Sequence, residues 1–185
     1  MIFAVLAMCC FLTALITLAA FAPNYLTDHL KLSLDQMSLV LAGQGIGSFV
    51  GMVAVPAFSD RVGRKPAMLV AQAVAFLALL VLMNTGPDPM MLFMAMFVAM
   101  FMISGVLAIN IGPLTSASVP PSIAATATGL VVGVGEIVGG AIAPAIAGGM
   151  ADAMGIPVIL KIAMIAIGVS ILVVAVGVRE PKTAP

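Results

Sequence analysis

The segment FSDRVGRKP, residues 58–66, concentrates charge in a chain that has very little of it. Asp60, Arg61, Arg64 and Lys65 lie close together here, whereas the whole 185-residue chain has seven Lys and Arg and seven Asp and Glu. Hydrophobic residues make up 63% of the chain and charged residues 8%, against about 25% charged residues in soluble domains. This composition indicates an integral membrane protein, in which such a segment marks a boundary between membrane-spanning elements.

Apolar runs on both sides of this segment are long enough to cross a bilayer, whose ~30 Å core needs about 20 helical residues. Six such runs cover residues 2–26, 36–58, 67–83, 90–112, 126–150 and 156–178. The runs are continuous, whereas transmembrane β-strands would alternate apolar and polar residues. We therefore predict an all-α membrane protein in which residues 1–185 form a single domain of six transmembrane helices.

The basic residues are distributed unevenly between the two sides of the membrane. With six crossings, residues 59–66 share one side with both termini. That side carries Arg61, Arg64, Lys65, Arg179 and Lys182, and the loops of the other side carry Lys31. The positive-inside rule then predicts a multi-pass protein of the cytoplasmic (inner) membrane with both termini in the cytoplasm. On charge alone, the segment is either a topology anchor or a functional loop.

One sequence pattern occurs twice in the chain. It reads G-x3-G-x4-P followed by D-x2-G, first from Gly47 to Gly63 and again from Gly135 to Gly155. Because three crossings separate the copies, they run in opposite directions through the membrane, as inverted repeats of secondary transporters do. We predict a three-plus-three inverted repeat with units of about 1–88 and 89–185.

Two segments resemble the major facilitator superfamily. Residues 59–65, SDRVGRK, resemble its loop motif G-x-L-a-D-r-x-G-r-k, with Pro56 and Phe58 departing from the pattern. The stretch from Thr126 through Glu136 to Gly155 resembles the penultimate helix of its C-terminal six-helix half. The resemblance implies half of a superfamily fold and secondary transport of a small organic solute by alternating access, with proton symport left open.

The same resemblance implies a gating role for the charged segment, with the motif residues Asp60, Arg61, Gly63, Arg64 and Lys65. Asp60 ends the second helix on the side where the fifth helix begins. A carboxylate beside a helix N-terminus is stabilised by about 0.3 to 1 kcal/mol when exposed and up to about 2 when partly buried. We expect such a contact to hold the inner end of the transporter closed in its outward-open state. A purely solvated loop is the alternative.

Glu136 is the sharpest functional candidate inside a helix. It lies ten residues after Thr126, roughly 15 Å along the fifth helix, and so near the middle of a ~30 Å core. An ionisable residue at that depth is a functional-site hypothesis by default. We expect its carboxyl group to take up and release a coupling proton, and a hydrogen-bonded glutamate that bridges helices is the alternative.

Further polar residues lie on helices that would line the solute path according to the resemblance. The candidates are Thr13, Thr17, Gln44, Ser48 and Asn110, and Tyr25 would form an outer gate. The threonine pair and the Gln44 and Ser48 pair are each four residues apart and therefore share a helix face. Each of these residues could equally form a hydrogen bond between helices.

Several other functions are excluded or disfavoured. No predicted helix contains histidine and none contains a buried aspartate pair, so neither a serine nor an aspartyl intramembrane protease fits, and we predict no enzyme. Cys9 and Cys10 are adjacent in the sequence, and no other metal-ligating residues accompany them, so we expect no metal and no cofactor. The net charge is zero, which implies no nucleic-acid partner.

The expected partners follow from the half-transporter reading. They are membrane lipid, a small-molecule solute, and either an N-terminal six-helix half or a second copy of this chain. A non-transporting six-helix scaffold or an inactive half-transporter fragment remains the alternative function.

Overall fold

The computed structural model describes residues 2–117 and 119–177, and these residues form long helices without any strand. Helices α1 to α6 span Ile2–His29, Leu34–Val62, Arg64–Asn84, Pro89–Gly112, Pro121–Met154 and Val158–Gly177. Each is long and apolar enough to cross a membrane, so the predicted all-α class and six crossings are confirmed. The chain is a multi-pass membrane protein. Arg179 and Lys182, which entered the orientation argument, lie outside the described residues.

Local sequence signals explain where the helices begin and end. Ser33 and Gln36 form a reciprocal capping box at the start of α2, which satisfies two otherwise unpaired backbone N–H groups. Asp88 caps α4 by accepting hydrogen bonds from the N–H groups of Met90 and Met91. Helix α2 continues to Val62 and ends there because the next residue, Gly63, adopts φ 97°, which is far from helical values. Asp60 therefore lies within the last turn of α2 and not in a loop.

The helices pack around α1 and α4. Helix α4 packs against α2, α3 and α1, and helix α1 packs against α6, α5 and α4. Helices α3 and α6 pack against each other, while no substantial packing links α2 to α5 within the described residues. Exchanging α1, α2 and α3 with α4, α5 and α6 converts the contacts of α4 with α2 and α3 into those of α1 with α5 and α6. The same exchange maps the α1–α4 pair and the α3–α6 pair onto themselves. The arrangement is consistent with the predicted three-plus-three repeat.

Glycines bring the outer helices close to the central ones. At Gly47 and Gly51 of α2, an added Cβ would collide with the carbonyl oxygens of Phe97 and Phe101 on α4. At Gly139 of α5, an added Cβ would lie 2.8 Å from the backbone nitrogen of Thr13 on α1. Small residues allow such close backbone approach between membrane helices. The repeated glycines thus perform the same packing task in both halves of the chain.

Candidate functional site

The charged segment forms a tight connection between α2 and α3. Gly63 adopts φ 97° and ψ 149°, and its N–H donates to the carbonyl of Ser59. Gly155, at the end of α5, adopts φ 88° and ψ 152° and donates to Ala151 in the same way. Positive φ strongly favours glycine, which explains why glycine stands at both positions. The two copies of the D-x2-G pattern therefore adopt the same local structure.

Asp60 is exposed at this end of the bundle, and its carboxylate has no hydrogen bond or ion pair to any described residue. Helix α2 packs on α4 and α3, whereas α5 packs mainly on α1. The expected contact between Asp60 and the N-terminus of this chain's own fifth helix is therefore not formed in this conformation. Asp60 remains available to a group outside the described part of the chain.

The basic residues of the motif differ in their surroundings. The Nζ of Lys65 donates a 2.7 Å hydrogen bond to the carbonyl of Ala175 in the last turn of α6. A cation there is favourable because the C-terminal end of a helix carries partial negative charge. Arg61 is exposed and Arg64 is half-buried. Lys65 thus links the start of α3 to the end of α6, a local role that the motif alone did not reveal.

Glu136 lies near the middle of α5 and is exposed. It begins the π-helical segment Glu136–Ile142, in which hydrogen bonds reach five residues back and the helix widens. Its carboxylate lies over Gly140, where an added Cβ would collide with Oε2 and would lie 3.2 Å from Ile16 of α1. The absence of a side chain at Gly140 therefore leaves room for the carboxylate beside α1.

Two other predicted residues also begin π-helical segments. Tyr25 begins Tyr25–His29 at the end of α1, and Asn110 begins Asn110–Leu114 at the end of α4. Such segments are rare and often occur at functional sites. Helices α1 and α4 correspond to each other in the predicted three-plus-three repeat, and a π-helical segment begins near the end of each.

Asn110 joins α4 to α1. Its side chain is fully buried, and Nδ2 donates to the carbonyl of Ala4 at 3.1 Å and contacts the sulfur of Met8 at 3.7 Å. Its backbone carbonyl accepts a 2.6 Å hydrogen bond from the hydroxyl of Thr115. Oδ1 has no partner within the described residues. The arrangement matches the interhelical alternative for this residue and leaves one acceptor free.

Tyr25 and the threonines of α1 are less open than a solute path requires. Tyr25 is only 3% exposed, and its ring stacks on His29 with centroids 5.4 Å apart. Thr13 is half-buried and donates to the carbonyl of Cys9 at 2.7 Å. Thr17 is fully buried, and its hydroxyl has no partner among the described residues. In this conformation, Tyr25 belongs to the apolar core of the bundle.

Gln44 and Ser48 lie together on α2, and both are half-buried. The Oε1 atom of Gln44 is buried without a partner in the described part of the chain. Ser48 follows Gly47 as Glu136 follows Gly135, so the repeat places Ser48 and Glu136 at equivalent positions. The structure thus separates the path candidates into one group on α1, α4 and α5 and another on α2.

Gln72 is a polar residue that the sequence analysis did not single out. It is 1% exposed in α3, and neither Oε1 nor Nε2 has a partner within the described residues. Its neighbours Ala71 and Ala75 belong to two different apolar clusters, so Gln72 lies where these clusters meet. Its amide group inside an otherwise apolar helix was the available signal.

Comparison with known proteins places the chain in a family. The sequence profile of the Major Facilitator Superfamily matches residues 3–185. Because this match covers almost the whole sequence, the chain belongs to the Major Facilitator Superfamily. This family is one of solute transporters.

A similar protein occurs in Haemophilus influenzae and bears the name "Putative metabolite transport protein". It is 31% identical over 118 residues, a match that covers 64% of this chain and 28% of the relative. The chain therefore aligns with less than a third of that protein's length.

Proposed function

We propose that this chain forms one six-helix half of a secondary transporter that moves a small organic solute across the cytoplasmic membrane by alternating access. The observation that carries the proposal is the exposed Glu136 in the middle of the apolar helix α5. A carboxylate at membrane depth faces a bundle interior or a water-filled cavity and not lipid. In the described residues this group is not covered by the chain itself, so the proposed path runs beside it.

The second surface of this path comes from a further six-helix unit, either an N-terminal half or a second copy of this chain. In an 18-residue apolar stretch of each helix, 28% of the residues of α2 and 22% of those of α5 are buried, against 61% for α4. They also carry Gln44, Ser48 and Glu136, whose polar groups would be costly against lipid. We assign the exposed sides of α2 and α5 to the contact with this unit.

Asp60 then acts between two units and not within one. Its exposed carboxylate has no described partner, and it lies in the last turn of α2. A helix N-terminus of the facing unit would supply partial positive charge. Closing that contact would hold one end of the path shut, with the exposed Arg61 available for further pairing or lipid contact at the cytoplasmic side.

Glu136 is the proposed coupling residue. A proton on the carboxyl group removes its charge, which lowers the cost of enclosing it when the path closes. Protonation on one side of the membrane and release on the other would tie solute movement to proton movement. The inverted repeat, with units of about 1–88 and 89–185, would provide the two packings between which the domain alternates.

The test is solute uptake at controlled copy number. Purified chain would be reconstituted at high dilution, and subunits per vesicle would be counted by single-molecule photobleaching. A panel of radiolabelled sugars, amino acids and carboxylic acids would serve as probes, with and without an imposed pH gradient. We expect uptake only in vesicles that hold two or more six-helix units. Uptake by single-copy vesicles would contradict the half-transporter proposal. No uptake at any copy number, either by this chain alone or together with a separately expressed N-terminal half, would favour the scaffold alternative.

A further inference from the structure

A groove runs between α3 and α6 on the outside of the bundle. It has a volume of about 420 Å³ and is lined by apolar side chains from both helices, with Lys161 as the charged residue among them. Phe76 and Met83 contribute from α3, and Ile165 and Leu172 contribute from α6. The groove does not include any of the candidate path or gating residues.

This side of α6 carries an exposed apolar stripe. Ile165, Val169, Leu172 and Val176 are 66%, 45%, 66% and 77% exposed, and they recur at helical spacing along one stripe. Ser170 and other residues on the opposite side of the helix are fully buried. In a membrane-spanning helix, an exposed apolar stripe of this kind is in contact with acyl chains. The groove is therefore a depression in the surface that meets the bilayer.

Lys161 lies at one end of the groove. It is exposed and follows the start of α6 at Val158 by three residues, or about 5 Å along the axis. Its ammonium group has no hydrogen bond or ion pair to any described residue. A lysine stem can extend along apolar surface while its charge reaches the interface. Because a cation near a helix N-terminus is unfavourable, a bound anion would stabilise this end of α6.

The length of the groove fits one leaflet of a bilayer. From Lys161 to Leu172 the axis of α6 rises about 16 Å, close to half of a ~30 Å hydrocarbon core. Between them lies Gly168, where an added Cβ would find no atom within 4 Å. We propose that this groove binds one anionic phospholipid, whose phosphate pairs with Lys161 and whose acyl chain lies over Gly168. The site does not depend on whether the chain transports a solute.

Native mass spectrometry of the purified chain in detergent would test this site. The probes would be phosphatidylglycerol and phosphatidylcholine with identical acyl chains. We expect the chain to prefer phosphatidylglycerol by about fivefold, the factor that corresponds to about 1 kcal/mol for one basic residue at an anionic surface. Lys161→Gln should abolish this preference, and Lys161→Arg should keep it. Lys31→Gln, which changes an exposed lysine outside the groove, is the matched control and should leave the preference unchanged.

A second variant tests the acyl-chain half of the site. Gly168→Leu would fill the groove without meeting another atom at Cβ, so it should reduce binding of both lipids about fivefold or more. Gly86→Leu is its control, because Gly86 is exposed between α3 and α4 and an added Cβ there also finds no atom within 4 Å. Unchanged lipid preference in Lys161→Gln would overturn the proposal. Unchanged lipid binding in a folded Gly168→Leu chain would also overturn it.

Discussion

The pair formed by α2 and α4 and the pair formed by α5 and α1 use the same glycine spacing but differ in regularity. Helix α2 is an uninterrupted α-helix from Leu34 to Val62, and its Gly47 and Gly51 contact the backbone of α4. Helix α5 contacts α1 through Gly135 and Gly139 but changes to a π-helix at Glu136. The position that holds Glu136 in α5 holds Ser48 in α2. At this matched position, α5 therefore has an ionisable residue and a widened helix, whereas α2 has a serine in a regular α-helix.

The largest expected effect concerns the shared frame. Gly51→Ala and Gly139→Ala both place a Cβ against the backbone of a central helix, and overpacking of this kind costs typically 1–3 kcal/mol. Each variant should lower the melting temperature, measured by size-exclusion chromatography after heating. Gly45→Ala is the control, since open space surrounds that position and alanine is better than glycine in a helix by roughly 0.5–1 kcal/mol. Destabilisation by one of the two variants alone would break the equivalence of the two pairs.

The next effect concerns the two aspartates that precede the matched glycine turns. Asp60→Asn should reduce transport about tenfold in the assembled transporter while folded yield stays nearly unchanged, because the lost contact belongs to one conformational state. Asp152→Asn, in the copy without basic neighbours, should have little effect on either quantity. Uptake and folded yield would be measured on the same preparations. Parallel loss of both in Asp60→Asn would assign that residue to folding or topology.

The smallest effect concerns the link between α3 and α6. Lys65→Met removes the 2.7 Å hydrogen bond to the carbonyl of Ala175 and the favourable charge at the end of α6. We expect a loss of about 0.3 to 1 kcal/mol, read as a small decrease in melting temperature, and Lys65→Arg should retain most of the stability. An unchanged melting temperature in Lys65→Met would show that the hydrogen bond contributes nothing measurable.

Much of the fold followed from the sequence because the bilayer restricts the choices. Apolar runs of sufficient length can only be helices in this context. The second predicted run, residues 36–58, ended too early, because α2 continues to Val62 and stops at Gly63. The predicted start of the fifth helix near Thr126 was late, because α5 begins at Pro121. Proline lacks a backbone N–H but is well suited to the first turn of a helix, so the prolines did not delay its start.

The details of the candidate site were harder to predict. The π-helical segments at Tyr25, Asn110 and Glu136 depend on which carbonyl each N–H group reaches, and hydropathy does not report that choice. Gln72 was missed because the apolar residues around it dominate its run. The burial of Tyr25 and the partner of Lys65 both depend on contacts between helices distant in sequence. Residue types thus indicated candidates, while tertiary packing determined which of them are open.

The central claim is that Glu136, and not its counterpart Ser48, couples solute movement to protons. Glu136→Gln keeps the shape of the side chain and removes the titratable group, and Ser48→Ala is the matched change in the other half of the chain. The measurement is accumulation under an imposed pH gradient compared with solute exchange at equal pH, in proteoliposomes of the assembled transporter. Glu136→Gln should abolish accumulation and preserve exchange, whereas Ser48→Ala should preserve both. Accumulation by Glu136→Gln with unchanged pH dependence would contradict the account and leave Glu136 as a packing residue.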